Sequence, residues 1–367
     1  MEIRLLLTML SVLLTAGVLR GQTFTEREVF IDGADGAVLA GTLTMPSGTA
    51  DKVPAVVLIT GSGAQNRDEE LAGHRPFKVI AEYLSSHGYA VLRCDDRGVG
   101  GSTGEVKHAT TLDFARDVRH QVDFLQGPEA EGVDAGRVFL FGHSEGGTVA
   151  AIAAAGSSGS RHPIAGVAML GGAAVNGKEV LLQQNGAYFR LAGLADSLVE
   201  RRLACMQELF AVADTLALHP GDDTVKRLNA AFRPIFRKHS EGLSREQKQQ
   251  IGLGSMGCYG WAVSMAMPWM QTFVRLEPAE YVARLRCPLL AMGGDKDCQV
   301  LPINLELMGQ VCAANGVSCT VQVVEGANHL GQTCETGFVD EYARLGQAPN
   351  DEILRCLLQW LDSVARK

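Results

Sequence analysis

The sequence predicts an α/β fold in which a mostly parallel sheet is covered by helices on both faces. Continuous apolar runs such as Pro54–Thr60 and Ile164–Leu170 are typical of strands that are buried on both sides. Segments with helical periodicity separate these runs, and such alternation places the strands side by side in one parallel sheet. The alternation is interrupted at residues 173–286, which predicts an inserted helical unit.

The first half of the chain begins with a predicted hairpin. Residues 28–31 and 38–45 alternate in polarity around the turn-forming sequence Asp32–Gly36, which indicates two antiparallel strands. Strands and helices then alternate. The predicted elements are strand 54–60, helix 75–87, strand 89–94, helix 111–125, the strand and helix on either side of residue 144, and strand 164–170.

The second half contains the interruption. Residues 173–286 are helical in pattern and rich in Met, Trp and Phe, and we interpret them as a cap over the strand ends. Most of these side chains are expected to pack a small helical core, while a few would line an acyl or aryl pocket. The alternation resumes with strand 288–292, helix 302–314, strand 319–324 and helix 351–365. The predicted core is therefore residues 23–172 and 287–367, with the cap between its two parts.

Ser144 is the candidate nucleophile. An apolar strand precedes Gly142-His-Ser-Glu-Gly146 and an alanine-rich helix follows it, which indicates a sharp strand-to-helix turn with the serine at its apex. Gly100–Gly104 fits the same G-x-S-x-G pattern, but it follows a polar turn and no apolar helix begins there. Ser102 is therefore interpreted as a loop residue bonded to its own backbone. Alone, the motif would also suit a serine that merely tops a tight turn.

Two later strand ends carry the partners that a serine nucleophile needs. A serine hydroxyl requires a base to take its proton, and the base requires a carboxylate to hold its tautomer. In open α/β sheets such groups lie beyond the carboxyl ends of strands, where the sequence places Asp297 and then His329. The chain order of serine, acid and histidine is the one expected for this arrangement.

Two neighbouring residues compete with these assignments. Asp295 is an alternative acid, but we expect it to pair with Lys296 instead. His143 occupies the variable position of the serine turn and is expected to point away from Ser144. Neither is therefore assigned to the catalytic group.

The reaction of such a serine also needs N–H donors for the negative oxygen that develops on the substrate. The backbone N–H of Glu145, at the start of its helix, is one candidate. The second is the backbone N–H of Ser62, because glycines on both sides of it permit a close approach. The loop of Ser62 would also suit a simple strand-ending turn.

Charge and the N-terminal residues bear on where the protein acts. A net charge of −8 over 367 residues argues against nucleic acid or an anionic membrane surface as a partner. Arg4 precedes an apolar run from Leu5 to Leu19, which is short for a bilayer span but matches a secretory signal over residues 1–22. We therefore expect export to the periplasm or the medium, with an uncleaved membrane anchor as the alternative.

These motifs resemble the alpha/beta-hydrolase superfamily. Within it, the chain looks like the bacterial esterases related to dienelactone hydrolase and the group of serine aminopeptidases and X-Pro dipeptidyl-peptidases. The matching stretches are 61–69, 95–98, 142–146, 294–297 and 326–329. The resemblance implies an alpha/beta-hydrolase fold and a Ser–Asp–His hydrolase that often cleaves short acyl esters. One departure lies in the loop that would supply the second oxyanion donor. This chain has Thr60-Gly61 there, where many relatives carry His-Gly.

Two further sets of residues are assigned structural roles. Arg67, Asp68 and His74 follow the loop of Ser62 and are expected to brace it through a buried ion pair rather than to touch substrate. An exported chain with nine cysteines is expected to form disulfides, and the odd count leaves at least one thiol free. The hypothesised pairs are Cys298 with Cys334, Cys205 with Cys258, and Cys312 with Cys319.

The sequence thus predicts an exported serine carboxylesterase in which Ser144, His329 and Asp297 hydrolyse a small-molecule ester through an acyl-enzyme. Neither a metal nor an organic cofactor is needed. A serine peptidase acting on short peptides is the alternative, and a cap carboxylate that held a substrate amino group would favour it. The candidates for that role are Glu200, Glu208 and Asp214. A third hypothesis is a binding protein on an inactive hydrolase scaffold.

Overall fold

The computed structural model describes residues 23–157, 159, 161–216 and 223–366. The predicted secretory signal lies outside these residues. Eight strands form one sheet. They are β1 (Phe24–Asp32), β2 (Val38–Pro46), β3 (Val53–Ile59), β4 (Ala90–Cys94), β5 (Val133–His143), β6 (Gly166–Leu170), β7 (Leu289–Gly294) and β8 (Cys319–Val324).

The strand order across the sheet is β1-β2-β4-β3-β5-β6-β7-β8. β2 runs antiparallel to both of its neighbours, β1 and β4, and every other pair is parallel. The mostly parallel sheet and the N-terminal hairpin are therefore confirmed. β5, which leads to Ser144, lies between β3 and β6 near the middle of the sheet.

Twelve α-helices accompany the sheet within the described ranges. The helices before β7 are α1 (Pro76–Ser86), α2 (Thr111–Gln126), α3 (Glu145–Ala155), α4 (Gly177–Leu191), α5 (Asp196–Thr215), α6 (Thr224–Ser240), α7 (Arg245–Gln250), α8 (Gly257–Ala266), α9 (Pro268–Phe273) and α10 (Pro278–Val282). After it come α11 (Ile303–Asn315) and α12 (Asp351–Ala365). No helix in this described part is both long and apolar enough to cross a membrane.

Helices cover both faces of the sheet, as the sequence predicts. α1 and α12 lie on one face, where Phe77 and Leu357 belong to one buried cluster with β3, β5 and β7 residues. α2, α3 and α11 lie on the other face, where Val118, Val149 and Met308 belong to a second cluster. Burial of both faces explains why the parallel strands are continuous apolar runs.

The helices between β6 and β7 have a hydrophobic cluster of their own. Phe210 of α5, Phe232 of α6 and Met265 of α8 are almost fully buried within it. Val282 of α10 packs instead with the α2, α3 and α11 cluster of the sheet. We refer to α4–α9 as the cap. The exact division into domains at residues 173 and 286 stays a prediction.

Candidate active site

Ser144 lies at the apex of the turn between β5 and α3. Its backbone has φ 55° and ψ −122°, a conformation that is unfavourable for any residue with a side chain. A Cβ on Gly142 would lie 2.1 Å from the carbonyl oxygen of Gly146, and one on Gly146 would lie 2.2 Å from that of Ile59. Only glycine therefore fits at the two flanking positions. The turn presents the serine to a cavity that it lines.

His329 and Asp297 form a buried hydrogen-bonded pair. Nδ1 of His329 lies 2.7 Å from Oδ2 of Asp297, and the two side chains are 6% and 1% exposed. The other oxygen of Asp297 accepts the backbone N–H groups of Gln299 and Val300, at 2.8 and 2.9 Å. Because the carboxylate of Asp297 accepts, the proton of His329 is held on Nδ1 and the lone pair is left on Nε2.

Asp295 has a different role from the one expected. Its Oδ1 accepts the backbone N–H of Gly326 at 2.6 Å. Nζ of Lys296 donates to the carbonyl oxygens of Cys334 and Glu335, at 3.3 and 2.8 Å. The expected pairing of Asp295 with Lys296 is therefore wrong, because each side chain is taken by loop backbone.

The residues of the predicted triad all lie at the carboxyl edge of the sheet. Ser144 and His329 line one cavity of about 270 Å³, and Asp297 lies behind the histidine. Gly171, which follows β6, makes room for this pair. Its φ is 62°, and a Cβ there would lie 2.9 Å from Nδ1 of His329 and 3.3 Å from Oδ2 of Asp297.

The two predicted oxyanion donors border the same cavity. Glu145 is the first residue of α3, where its N–H has no intrahelical carbonyl to bind. The loop after β3 passes beside the serine, because a Cβ on Gly61 would lie 3.3 Å from Cβ of Ser144. The N–H of Gly61 donates to Oε1 of Glu69 at 2.7 Å. The next N–H, that of Ser62, is therefore the candidate donor, and Ser62 lines the cavity.

Comparison with known proteins decides the family. A model of the family described as serine aminopeptidase S33 matches residues 74–330, which is more than half of the chain. The chain belongs to the S33 serine aminopeptidase family. The esterase EstD of Thermotoga maritima is 31% identical over 188 residues, which are 51% of this chain and 42% of that protein. The match thus spans less than half of the length of that relative.

Solved structures agree on the fold. Est1E from Butyrivibrio proteoclasticus, solved with ferulic acid, has a TM-score of 0.53 at 17% identity, covering 92% of this chain and 100% of that one. The acylaminoacyl peptidase of Pyrococcus horikoshii has a TM-score of 0.52 at 14% identity, covering 93% of this chain and 42% of that one. At such identities the likeness establishes the fold alone, and that fold is the predicted alpha/beta-hydrolase fold.

His143 joins Glu69 to the backbone of His329, a structural role that the sequence did not indicate. It lines the cavity, and its ring centroid lies 4.8 Å from that of His329. Nδ1 lies 2.9 Å from Oε1 of Glu69, and Nε2 lies 3.0 Å from the carbonyl oxygen of His329. Both partners are acceptors, so only the doubly protonated imidazolium satisfies both contacts. Burial alone lowers the pKa of His143, but the carboxylate of Glu69 and these hydrogen bonds outweigh it and raise that pKa.

The sequence predicts a role for the backbone N–H of Glu145 but not the contacts of its side chain. The residue is 6% exposed, and its Oε1 accepts the hydroxyl of Thr111 at 2.6 Å. Nε1 of Trp269, in the cap, lies 2.9 and 3.0 Å from the two carboxylate oxygens. Burial raises the pKa of Glu145 above its usual value. The side chain of Glu145 therefore joins α2 and α3 to the cap.

The loop of Ser62 is braced by part-buried polar contacts. Arg67 donates from Nε and Nη2 to the two oxygens of Asp95, at 3.1 and 2.8 Å. Asp68 accepts from Arg93 at 2.8 Å, and Nε2 of His74 lies 2.9 Å from the carbonyl oxygen of Tyr342. Arg67 and Asp68 thus form ion pairs as predicted, each with a residue outside the loop, whereas His74 contacts a backbone carbonyl and forms no ion pair with any described residue.

Asp96 adds a further brace to this loop. Its two oxygens accept the hydroxyl of Thr60 and the backbone N–H of Gln65, each at 2.9 Å. Burial raises the pKa of Asp96 to about 7. Thr60 thus ties the end of β3 to the carboxylate of Asp96.

Ser102, in the second G-x-S-x-G match, is a buried structural residue. Its hydroxyl donates to the carbonyl oxygen of Asp95 at 2.8 Å and accepts the N–H of Ala40 at 2.9 Å. It therefore joins its loop to β2 and the end of β4. The exclusion of Ser102 as a nucleophile agrees with this position, although its bonds are to other segments rather than to its own backbone.

None of the nine cysteines, which all fall within the described residues, forms a disulfide. The thiol of Cys298 donates to the carbonyl oxygen of Gly337 at 3.0 Å, and that of Cys258 to Oδ1 of Asn229 at 3.2 Å. The hypothesised pairs of Cys298 with Cys334 and Cys205 with Cys258 are thus not bonded. Cys312 and Cys319 are also free thiols, although they hydrogen-bond to each other.

Proposed function

We propose that this S33 family member is a serine carboxylesterase that hydrolyses small acyl esters through an acyl-enzyme. One observation carries the proposal. Ser144 stands in a strained turn at a helix N-terminus, on the same cavity as a histidine whose Nδ1 is held by Asp297. This is the geometry in which a hydroxyl is activated by a neutral imidazole.

The proposed reaction uses groups of this chain throughout. Oγ of Ser144 bonds to the ester carbonyl carbon while Nε2 of His329 takes the hydroxyl proton, and Asp297 stabilises the imidazolium that forms. The N–H groups of Glu145 and Ser62 bind the negative oxygen. The C–O bond to the alcohol then breaks, and the proton on Nε2 passes to the leaving oxygen. Water releases the acyl group by the same steps, with His329 again as base.

The cavity supports a small, apolar acyl group. Its volume of about 270 Å³ lies at the lower limit of ligand sites in proteins. Much of its lining comes from apolar side chains of the cap and the neighbouring loops. These include Val175, Val180, Leu181, Met270, Phe273 and Leu276.

The three cap carboxylates considered for a peptidase are engaged elsewhere. Glu200 pairs with Arg190, Glu208 pairs with Lys238, and Asp214 pairs with Lys178. None of the three lines the cavity of Ser144 within the described residues. These three carboxylates therefore give no support to a peptidase, although the family is described as aminopeptidase and the carboxylates of Glu69 and Glu145 do line the cavity.

The decisive experiment compares the two serines of the G-x-S-x-G matches. The wild type is expected to hydrolyse p-nitrophenyl acetate, Ser144→Ala to lose this activity, and Ser102→Ala to keep it. A fluorophosphonate probe should label the wild type and Ser102→Ala but not Ser144→Ala. Hydrolysis that persists in Ser144→Ala at wild-type rates would overturn the proposal, and faster cleavage of aminoacyl p-nitroanilides than of esters would favour the peptidase.

We further propose that the protein is exported, on the strength of the basic and apolar residues at its N-terminus. The expected result is a mature chain that begins near residue 23 and is recovered from the periplasm or the medium. N-terminal sequencing of the secreted protein measures this directly. A chain that retains residues 1–22 in the membrane fraction would instead support an uncleaved anchor.

A further inference from the structure

Trp269 of α9 is shared by two cavities. It lines the cavity of about 270 Å³ at Ser144 and also a second one, of about 1020 Å³ as bounded by the described residues. Ser62 lies on both cavities as well. We call Trp269 and Ser62 the partition. The lining of the second cavity combines apolar residues with Lys107, His108 and Thr224. The apolar ones include Val106, Ala109, Phe114, Val263, Ala266 and Met267.

The carboxylate of Glu145 anchors the indole of the partition. Nε1 of Trp269 donates to it at 2.9 and 3.0 Å, and the hydroxyl of Thr111 donates to it at 2.6 Å. Burial raises the pKa of this carboxyl, and the side chain of Ser62, the other member of the partition, is close enough to offset part of that rise. Because Glu145 is 6% exposed, water cannot readily replace these donors, and loss of any of them leaves a buried acceptor less satisfied.

The indole ring of Trp269 is fixed on its face as well as on its edge. It stacks on Phe273, with ring centroids 5.1 Å apart and an angle of 15° between the planes. Phe273 lines the small cavity. An indole that is bonded at its nitrogen and stacked on one face has little rotational freedom. The partition is therefore a fixed wall rather than a loosely packed side chain.

We propose that Trp269, held in place by Glu145, limits the length of the acyl group that the enzyme accepts. The inference rests on the proposed esterase function. With the partition in place, an acyl group on Ser144 is confined to the smaller cavity. Removal of the indole would join the two cavities, and a longer chain would then reach the apolar lining of the larger one.

The test is an acyl-length series of p-nitrophenyl esters, read as the ratio of kcat/KM for octanoate to kcat/KM for butyrate. Trp269→Ala is expected to raise this ratio by about tenfold or more, since discrimination by chain length in an apolar pocket is of that order. Trp269→Phe, which keeps an aromatic wall but loses the N–H donor, should give a smaller rise. An unchanged ratio in a folded Trp269→Ala protein overturns the inference.

Trp261 provides a matched control in the same cap. It packs on Phe210 with centroids 5.7 Å apart and lies beside Arg202, and it lines neither cavity. Trp261→Ala should leave the octanoate-to-butyrate ratio near the wild-type value. An equal rise in this control would assign the effect to general loosening of the cap and would overturn the inference.

Glu145→Gln tests the anchor. The substitution keeps the size of the side chain and the backbone N–H but halves the acceptor capacity for Trp269 and Thr111. A rise in the same ratio, lying between those of Trp269→Phe and Trp269→Ala, is expected. A ratio at the wild-type value in a folded Glu145→Gln protein would remove the anchoring role from the proposal.

A second readout separates this inference from the esterase proposal. Binding of butyrate and decanoate, measured by calorimetry, does not require turnover. Decanoate is expected to bind Trp269→Ala at least tenfold more tightly than the wild type, by the same discrimination of about an order of magnitude. This readout remains informative even if Ser144→Ala shows that the protein is not an esterase. Equal decanoate affinities of the wild type and Trp269→Ala would then still overturn the role of Trp269 as a barrier, and tighter binding by Trp269→Ala would support it.

Discussion

The site contains two buried histidine–carboxylate pairs whose imidazole rings lie 4.8 Å apart. His329 is held by Asp297 through Nδ1 alone, at 2.7 Å. His143 is held on both sides, by Glu69 at Nδ1 and by the carbonyl oxygen of His329 at Nε2. Under the proposed function, this difference means that a carboxylate partner does not by itself make a histidine a base. The second ring nitrogen must also be left free to accept a proton.

The largest effect that this comparison predicts is on the rate. His329→Gln should lower kcat for a short ester by about a millionfold, because the proton acceptor is lost. His143→Gln should lower it far less. Initial rates on p-nitrophenyl acetate, with the thermal unfolding of each variant recorded, measure the contrast. Equal losses in two folded variants would show that the two histidines do not differ in function as proposed.

A second test of the difference between the two histidines neutralises their carboxylate partners, Asp297 and Glu69. Asp297→Asn should lower kcat by about ten-thousandfold, because the amide no longer holds the proton of His329 on Nδ1. Glu69→Gln should affect kcat less but lower the free energy of unfolding by about 3 kcal/mol, because it leaves a buried imidazolium without its counter-ion. Kinetics and urea unfolding of both variants test this. Asp295→Asn is the control for the acid and should retain most of the activity.

The smallest expected effect is a dependence of stability on pH. Since the pKa of His143 is raised in the folded protein, the folded state binds more protons than the unfolded state. The stabilisation is thus fully present below the ordinary histidine pKa of about 6.5 and is lost as pH rises through the folded-state value. The charged groups that raise the pKa of His143 are the carboxylates of Glu69 and Asp297, and the backbone carbonyl oxygen of His329 adds a hydrogen bond.

The measurement for His143 is urea unfolding of the wild type and His143→Gln at several values between about pH 6 and pH 9. The difference in free energy of unfolding between the two proteins should shrink as the pH rises. A difference that stays constant over this range would show that His143 does not titrate there as an imidazolium. The rate experiments would be unaffected by that outcome.

Much of the core fold could be predicted because its signals are local. β3, β5 and β7 are apolar runs, and the glycines around Ser144 are fixed by a clash that only glycine avoids. The pairing of Asp297 with His329 followed from the chain order and the strand ends. These features depend on residues that are near each other in sequence or at equivalent ends of neighbouring strands.

The parts that could not be predicted depend on contacts between distant segments. Nothing near His143 in sequence indicates that Glu69, 74 positions earlier, would reach its ring. The same holds for Trp269, which meets Glu145 across 124 positions and from a different layer. Ser102 was recognised as structural, but its partner Ala40 lies 62 positions away and could not be named.

Gly171 has no functional group, yet its missing side chain is what lets the imidazole and the acid meet. A methyl group at that position would press on the ring of His329 rather than on the sheet beneath it. The serine, the cap and both cavities would remain. The effect would fall on the contact between His329 and Asp297, and it would come from a position that no survey of reactive side chains would single out.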